Sequence, residues 1–147
     1  MPRIFGVNII AWLVATLALY FTGFVFYGLL FSQLWVGLWG FTDAQMQAAE
    51  AGTGLSMALG FVISLATALF LGIALKAFGA NGMKDALTKA VLLWAGFAVT
   101  TLAYDTVYAM QPALLLVLDA AHLLVGFLAA AAVLTAMDGT GSKSAAA

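Results

Sequence analysis

The stretch ALLLVLDAAHLLVGFLAAAAVLTAM, residues 113 to 137, decides the fold. A helix needs about 20 predominantly apolar residues to cross a hydrocarbon core of roughly 30 Å, and this stretch is long enough. Similar segments precede it, so the sequence predicts four membrane spans, at about residues 4–31, 55–78, 86–108 and 113–137. The predicted fold is therefore all-α, a single integral membrane four-helix bundle over residues 1–137 with a flexible polar tail over 138–147.

The composition supports a membrane location. The chain of 147 residues is 65% hydrophobic and only 7% charged, whereas a soluble domain is about 45 to 50% apolar and about 25% charged. There are no cysteines, which excludes disulfides and thiolate chemistry. The formal net charge of -1 provides no basic surface for nucleic acid. The lipid bilayer is the expected partner, and nucleic acid is not.

The distribution of basic residues predicts the orientation of the bundle. Arg3 precedes the first span, Lys76, Lys84 and Lys89 flank the second loop, and Lys143 follows the fourth span. Basic residues concentrate on the cytoplasmic side of membrane proteins. Both termini and the second loop are therefore predicted to be cytoplasmic, and four spans require the termini to share a side.

The connections between the spans carry recognisable local signals. Trp35 and Trp39 fit an interfacial aromatic belt, and the segment from Thr42 to Gln45 has the spacing of a capping box that begins a short helix. Gly79 suits the end of the second span, and Asn81-Gly82 suits a turn. Pro112 suits the first turn of the last helix.

Polar residues recur at helical spacing within the spans, and such faces are expected to turn away from lipid. They are Thr16, Tyr20, Gly23 and Tyr27 in the first span, Thr101, Asp105 and Tyr108 in the third, and Asp119, His122 and Gly126 in the fourth. Counted from Pro112, Asp119 lies about 10 Å and His122 about 15 Å into the membrane. The predicted result is a polar pocket in the outer half of the bundle, with Asp119 level with Thr101.

Asp119 and His122 allow two interpretations. In the first they are interhelical glue, bonded to Thr101, Tyr20 or a backbone carbonyl. In the second they are a proton- or solute-handling pair, since ionisable residues inside a membrane default to a functional hypothesis. The sequence leaves open whether they form a neutral couple or an ion pair.

Small residues in the second span form a ridge at intervals of four, and close packing of small residues drives helix association in lipid. The ridge consists of Gly60, Ser64, Ala68 and Gly72. Packing within the chain is favoured over dimerisation, although a homo-oligomer stays open.

Enzyme and cofactor chemistry has little support. One histidine and no cysteine make a poor metal or haem site within one chain. Ser56 and Ser64 lack a nucleophile-elbow context, and the glycines form no phosphate-binding fingerprint because no strand precedes them. No metal, cofactor or catalytic residue is predicted.

Several motifs together resemble a family of bacterial membrane proteins. They are Asn8, FYGLLF at 26–31 with Trp35 beyond it, WAGFAVT at 94–100, and LDAAHLLVG at 118–126. In this order they resemble the uncharacterised domain-of-unknown-function family 1761. The residues that correspond to its motifs are Asn8, Tyr27, Gly28, Trp35, Trp94, Gly96, Phe97, Asp119 and His122. Ala121 stands where the family carries an aromatic residue. The resemblance implies a small four-span bundle in the bacterial cytoplasmic (inner) membrane and brings no established activity.

The leading hypothesis is a small inner-membrane protein whose outer pocket binds or relays a proton, an ion or a small solute. Asp119 and His122 would respond to protons, and Asp105, Thr101, Tyr20, Tyr27 and Tyr108 would line the pocket. The alternative is an accessory or scaffolding subunit that packs against a larger membrane complex. In that case Asp119 and His122 would serve as glue.

Overall fold

A computed structural model describes residues 2–138, and it begins with a hairpin rather than with the first span. Strand β1 (Arg3–Ile4) pairs antiparallel with strand β2 (Val7–Asn8). Phe5 and Gly6 form the turn with positive φ angles of 49° and 81°, as two-residue hairpin turns require. The side chain of Asn8 then accepts a hydrogen bond of 2.9 Å from the backbone nitrogen of Ile10. This N-cap starts the first span at Ile9, so the predicted start at residue 4 was wrong.

Six helices follow the hairpin within residues 2–138, and all-α is confirmed as the fold class. They are α1 (Ile9–Leu30), α2 (Ser32–Trp39), α3 (Asp43–Ala51), α4 (Thr53–Ala77), α5 (Met83–Tyr108) and α6 (Ala113–Asp138). Helices α1, α4, α5 and α6 are long and apolar enough to cross a membrane. The predicted number of spans is confirmed, with boundaries that move by a few residues.

Local signals set the helix ends in the loops. Thr42 and Gln45 form the predicted capping box at the start of α3. Gly79 follows α4 with a φ of 60°, and Gly82 precedes α5 with a φ of 83°. Side chains with a Cβ rarely adopt these conformations, so glycine ends one helix and permits the next to begin.

Two of the long helices contain a wider, π-helical stretch. The first is Phe24–Leu30 in α1, and the second is Trp94–Val99 in α5. In the first stretch the backbone nitrogen of Phe31 donates to the carbonyl of Phe26, five residues earlier, at 2.8 Å. Each stretch largely coincides with one of the motifs FYGLLF and WAGFAVT. Such stretches often occur at functional sites.

Helix α6 is the centre of the bundle. It packs most extensively on α1 and also along α5, while α1 packs on α4. Alanines dominate the contact surfaces, and their small side chains let the helices approach closely. Those fully buried are Ala11, Ala15, Ala68, Ala86, Ala90, Ala130 and Ala131. Helices α4 and α5 contact each other little, so the bundle is open along that side.

A buried carboxylate joins the two ends of the described chain. The side chain of Asp138 is fully buried, and its Oδ1 lies 2.7 Å from Arg3 Nη1 while its Oδ2 lies 2.8 Å from Lys76 Nζ. Asp138 was assigned to the flexible tail, but it is the last residue of α6. The rest of the predicted tail, residues 139–147, lies outside the described residues. We call the end with Arg3, Lys76 and Asp138 the ion-pair end, and the opposite one the far end.

Candidate functional site

Asp119 is hydrogen-bonded to Tyr27. The Tyr27 hydroxyl donates to Asp119 Oδ1 at 2.6 Å, and both side chains are half-buried. Asp119 lies 19 residues before Asp138, which places it about 28 Å along α6 from the ion-pair end. Tyr27 comes from the π-helical stretch of α1. A polar contact between two spans therefore lies in the far half of the bundle.

His122 lies beside the same tyrosine. The imidazole meets the Tyr27 ring edge-on, with centroids 4.8 Å apart, and the Phe26 ring is at 5.6 Å. A Cβ on Gly23 would come within 3.3 Å of His122 Nε2, so glycine leaves room for the imidazole. Within residues 2–138 Asp119 and His122 share no hydrogen bond or ion pair. Tyr27 connects them, by its hydroxyl to one and by its ring to the other.

An aromatic cover consisting of Trp35, Trp39 and Phe41 lies next to Tyr27. The Trp35 ring is 5.3 Å from that of Tyr27 and 5.9 Å from that of Phe41, and Trp39 stacks on Phe41 at 5.7 Å. Helix α2, which carries both tryptophans, packs against α6. The sequence predicted an interfacial belt for these tryptophans. The contact of Trp35 with Tyr27 depends on how α2 folds back, which no local signal reveals.

The second π-helical stretch reaches the same segment of α6. Trp94 Nε1 donates to the carbonyl oxygen of Ala120 at 2.8 Å. That carbonyl belongs to the residue directly after Asp119. The motifs FYGLLF, WAGFAVT and LDAAHLLVG, which are far apart in the sequence, therefore meet around residues 119–122.

Other residues predicted to line the pocket lie elsewhere. The Tyr20 hydroxyl donates to the carbonyl of Met57 at 3.2 Å, so Tyr20 belongs to the contact with α4. Thr101, Asp105 and Tyr108 are exposed, and Tyr108 stacks on Tyr104. The inward orientation predicted for these three was wrong.

The predicted packing residues face α1 and the hairpin. A Cβ on Gly60 would lie 3.7 Å from the Tyr20 ring, and one on Gly72 would lie 3.1 Å from a Val7 methyl. Ala68 is fully buried, and Ser64 donates to the carbonyl of Gly60 within its own helix. Gly126 is buried against α1, where an added Cβ would be 2.9 Å from Leu19 Cδ2.

The donor set limits the chemistry of the site. Within residues 2–138 no three His, Cys, Asp or Glu side chains come together to hold a metal ion. Three carboxylates in that range are not exposed. Asp85 is paired with Lys89, and Asp138 with Arg3 and Lys76, but the hydrogen bond to Asp119 comes from an uncharged hydroxyl. The site therefore offers a carboxylate without a protein cation.

The fold and the site define a four-span membrane protein with a tyrosine–aspartate contact between its first and last spans. The chain belongs to the family of proteins of unknown function DUF1761, whose model matches residues 10–135. That range contains FYGLLF, WAGFAVT and LDAAHLLVG, but not Asn8. No curated protein and no solved structure matches the chain.

Proposed function

We propose that this membrane protein binds a proton or another small cation between its first and last spans, with Asp119 as the acceptor. Tyr27 holds the carboxylate in place, and His122 lines the same site. One observation carries the proposal. Within residues 2–138 the Asp119 carboxylate accepts a single hydrogen bond, from the uncharged Tyr27 hydroxyl, and pairs with no cation.

The energetics favour an exchangeable partner for Asp119. An ionised aspartate in a membrane helix costs up to about 2.5 to 3.5 kcal/mol on insertion scales, the value at the centre of the helix. An interhelical hydrogen bond in a membrane contributes about 0.6 kcal/mol on average and up to about 1.7. The Tyr27 hydroxyl therefore offsets only part of the cost of the charge. A bound proton or cation removes the remainder, which makes occupancy depend on pH or on cation concentration.

The aromatic surroundings suit a cation that has lost most of its water. The rings of Tyr27 and Phe26 lie beside His122, and the Trp35 ring lies beside Tyr27. Aromatic faces attract cations. His122 is within one helical turn of Asp119 and is a second acceptor for a proton. This arrangement supports a site for a proton or an ammonium-type solute.

We place the site on the outer side of a bacterial cytoplasmic membrane. Arg3 and Lys76 lie at the ion-pair end, and Lys84 and Lys89 lie in the first two turns of α5, directly after the loop beside that end. The positive-inside rule assigns that end to the cytoplasm. The far end, with Asp119, then faces outward.

The test measures protonation of Asp119 directly. The protein is reconstituted in liposomes, and infrared difference spectra are recorded in the carboxylic C=O stretch during a change of pH. We expect a band that disappears in Asp119→Asn and persists in the control Asp105→Asn. In Tyr27→Phe the same band should shift in frequency and in pH midpoint, because the carboxyl group has lost its hydrogen-bond donor.

Two results would contradict the proposal. One is a spectrum of Asp119→Asn identical to that of the wild type at every pH and with every added ammonium salt. The other is a loss of thermal stability in Asp119→Asn without any change in pH response. That second result would assign Asp119 and His122 to interhelical glue, as expected of an accessory or scaffolding subunit.

A further inference from the structure

The open side of the bundle contains a lateral groove between α4 and α5. Two adjoining hollows of about 380 and 330 Å³ form it, and they share the side chains of Leu93 and Phe97. The larger hollow is closed at the back by Leu71 and Phe127, and the smaller one reaches Lys89. The groove is separate from Tyr27 and Asp119, so its role is independent of the function proposed above.

The walls of the groove are suited to hydrocarbon. Apart from Lys89 the one polar lining residue is Thr67, whose hydroxyl donates to the carbonyl of Ile63 within its own helix. The hydroxyl proton of Thr67 is therefore not available to donate to a polar ligand. Phenylalanines line much of the surface, whereas a docking helix favours small residues that let two backbones approach. A flexible acyl chain fits such a surface better than a second helix does.

The length of the groove matches one leaflet of a bilayer. Along α4 it extends from Ala66 to Phe78, which corresponds to about 18 Å at the helical rise. Half of a hydrocarbon core of roughly 30 Å is about 15 Å. One acyl chain of a lipid in the leaflet at the ion-pair end would therefore fill it from end to end.

The charge at the mouth of the groove selects the headgroup. Lys89 Nζ contacts Asp85 Oδ2 and the carbonyl of Gly79 at 3.2 Å, and an ammonium group has three donors, so one stays available. This end of the described chain also carries four cations, Arg3, Lys76, Lys84 and Lys89, against the two carboxylates Asp85 and Asp138. Basic residues at a membrane surface attract anionic lipids.

We infer that the groove between α4 and α5 binds one anionic phospholipid, with an acyl chain in the two hollows and the phosphate on Lys89. The neutralisation of Lys89 by Asp85 makes the site moderate in affinity. Removing the Asp85 charge should therefore strengthen lipid binding.

The test counts bound lipids by native mass spectrometry of the full chain in detergent, with added phosphatidylglycerol or phosphatidylcholine. We expect one phosphatidylglycerol per chain, bound about fivefold more tightly than phosphatidylcholine. This ratio corresponds to the attraction of about 1 kcal/mol that one lysine contributes toward an anionic lipid. Lys89→Gln should abolish this preference. Lys84→Gln is the matched control, because Lys84 is an exposed lysine on the same helix that does not line either hollow. Asp85→Asn should raise the preference.

A second pair of variants tests the acyl chain without changing any charge. Ala66→Phe fills the larger hollow and should weaken binding of both lipids, while Ala58→Phe, at an exposed position of α4 outside the groove, should not. If Lys89→Gln fails to fold, this pair of variants still tests whether an acyl chain occupies the groove. Equal phosphatidylglycerol binding by the wild type and Ala66→Phe would overturn the inference. Equal losses of the phosphatidylglycerol preference in Lys89→Gln and Lys84→Gln would also overturn it. So would a wild-type dimer that Ala66→Phe dissociates, because a second chain would then occupy the groove.

Discussion

Two glycines on the ridge of α4 should respond differently to replacement by alanine. Gly72→Ala should destabilise the protein, and Gly60→Ala should stabilise it. At Gly72 a new Cβ would lie 3.1 and 3.2 Å from the two methyl groups of Val7. Carbon atoms attract best at about 3.5 to 4.0 Å, so Val7 must move by roughly 0.4 Å. Val7 is fully buried in the hairpin, and a β-branched side chain has little rotamer freedom with which to yield.

The magnitudes follow from these contacts. Overpacking of this kind costs about 1 to 3 kcal/mol, and alanine recovers about 0.5 to 1 kcal/mol of helix propensity over glycine. Gly72→Ala should therefore lower the free energy of unfolding by up to about 2.5 kcal/mol. At Gly60 the nearest atom to a new Cβ is 3.7 Å away, in the Tyr20 ring, which is an ordinary contact. Gly60→Ala should therefore raise the free energy of unfolding by about 0.5 to 1 kcal/mol.

The assay is unfolding by sodium dodecyl sulfate in mixed micelles, followed by far-ultraviolet circular dichroism. Each variant is compared with the wild type at the same detergent composition. A Gly72→Ala protein at least as stable as the wild type would refute the reasoning. Destabilisation by Gly60→Ala of the same size as by Gly72→Ala would do so too, because it would show that backbone effects dominate both positions.

Two further predictions concern the contacts that join distant parts of the chain. Asp138→Asn should lower the free energy of unfolding in the same assay by about 1 to 3 kcal/mol, since bonds to charged groups are lost at the ion-pair end. Lys76→Met should lower the free energy of unfolding by less, because Arg3 still pairs with Asp138. A loss in Lys76→Met as large as that in Asp138→Asn, or larger, would contradict this ranking. Trp94→Phe should cost about 0.6 to 1.7 kcal/mol through the lost bond to Ala120. An unchanged midpoint of unfolding by sodium dodecyl sulfate would show that this hydrogen bond contributes nothing to stability.

Signals contained within a single segment of the chain were predictable from the sequence. The four spans follow from hydropathy summed over about 20 residues, which depends on no partner. The capping box at Thr42 and the positive φ of Gly79 are equally local. The hairpin was missed because the apolar run appeared continuous from Ile4, although Gly6 and Asn8 carried the signal for a turn and a helix cap.

The polar faces were only partly predictable, because a constant helical period was assumed. Each additional residue in a turn rotates the following side chains by about 100°. The π-helical stretch from Phe24 separates Tyr20, which contacts α4, from Tyr27, which contacts α6. Thr101, Asp105 and Tyr108 lie together in the regular α-helical segment Thr100–Tyr108, so there the polar character of the face did not show which way it turns.

The sequence by itself determined that this protein is a four-span membrane bundle with ionisable groups inside its last helix. The tertiary structure alone decided that Asp119 meets Tyr27 rather than His122 or Thr101, and that Asp138 meets Arg3 across 135 residues. A helix cap acts within one helical turn and hydropathy acts within one span, so neither depends on a partner helix. The partner of a buried carboxylate depends on helix register and on which helices are neighbours, and both are set by packing across the whole chain.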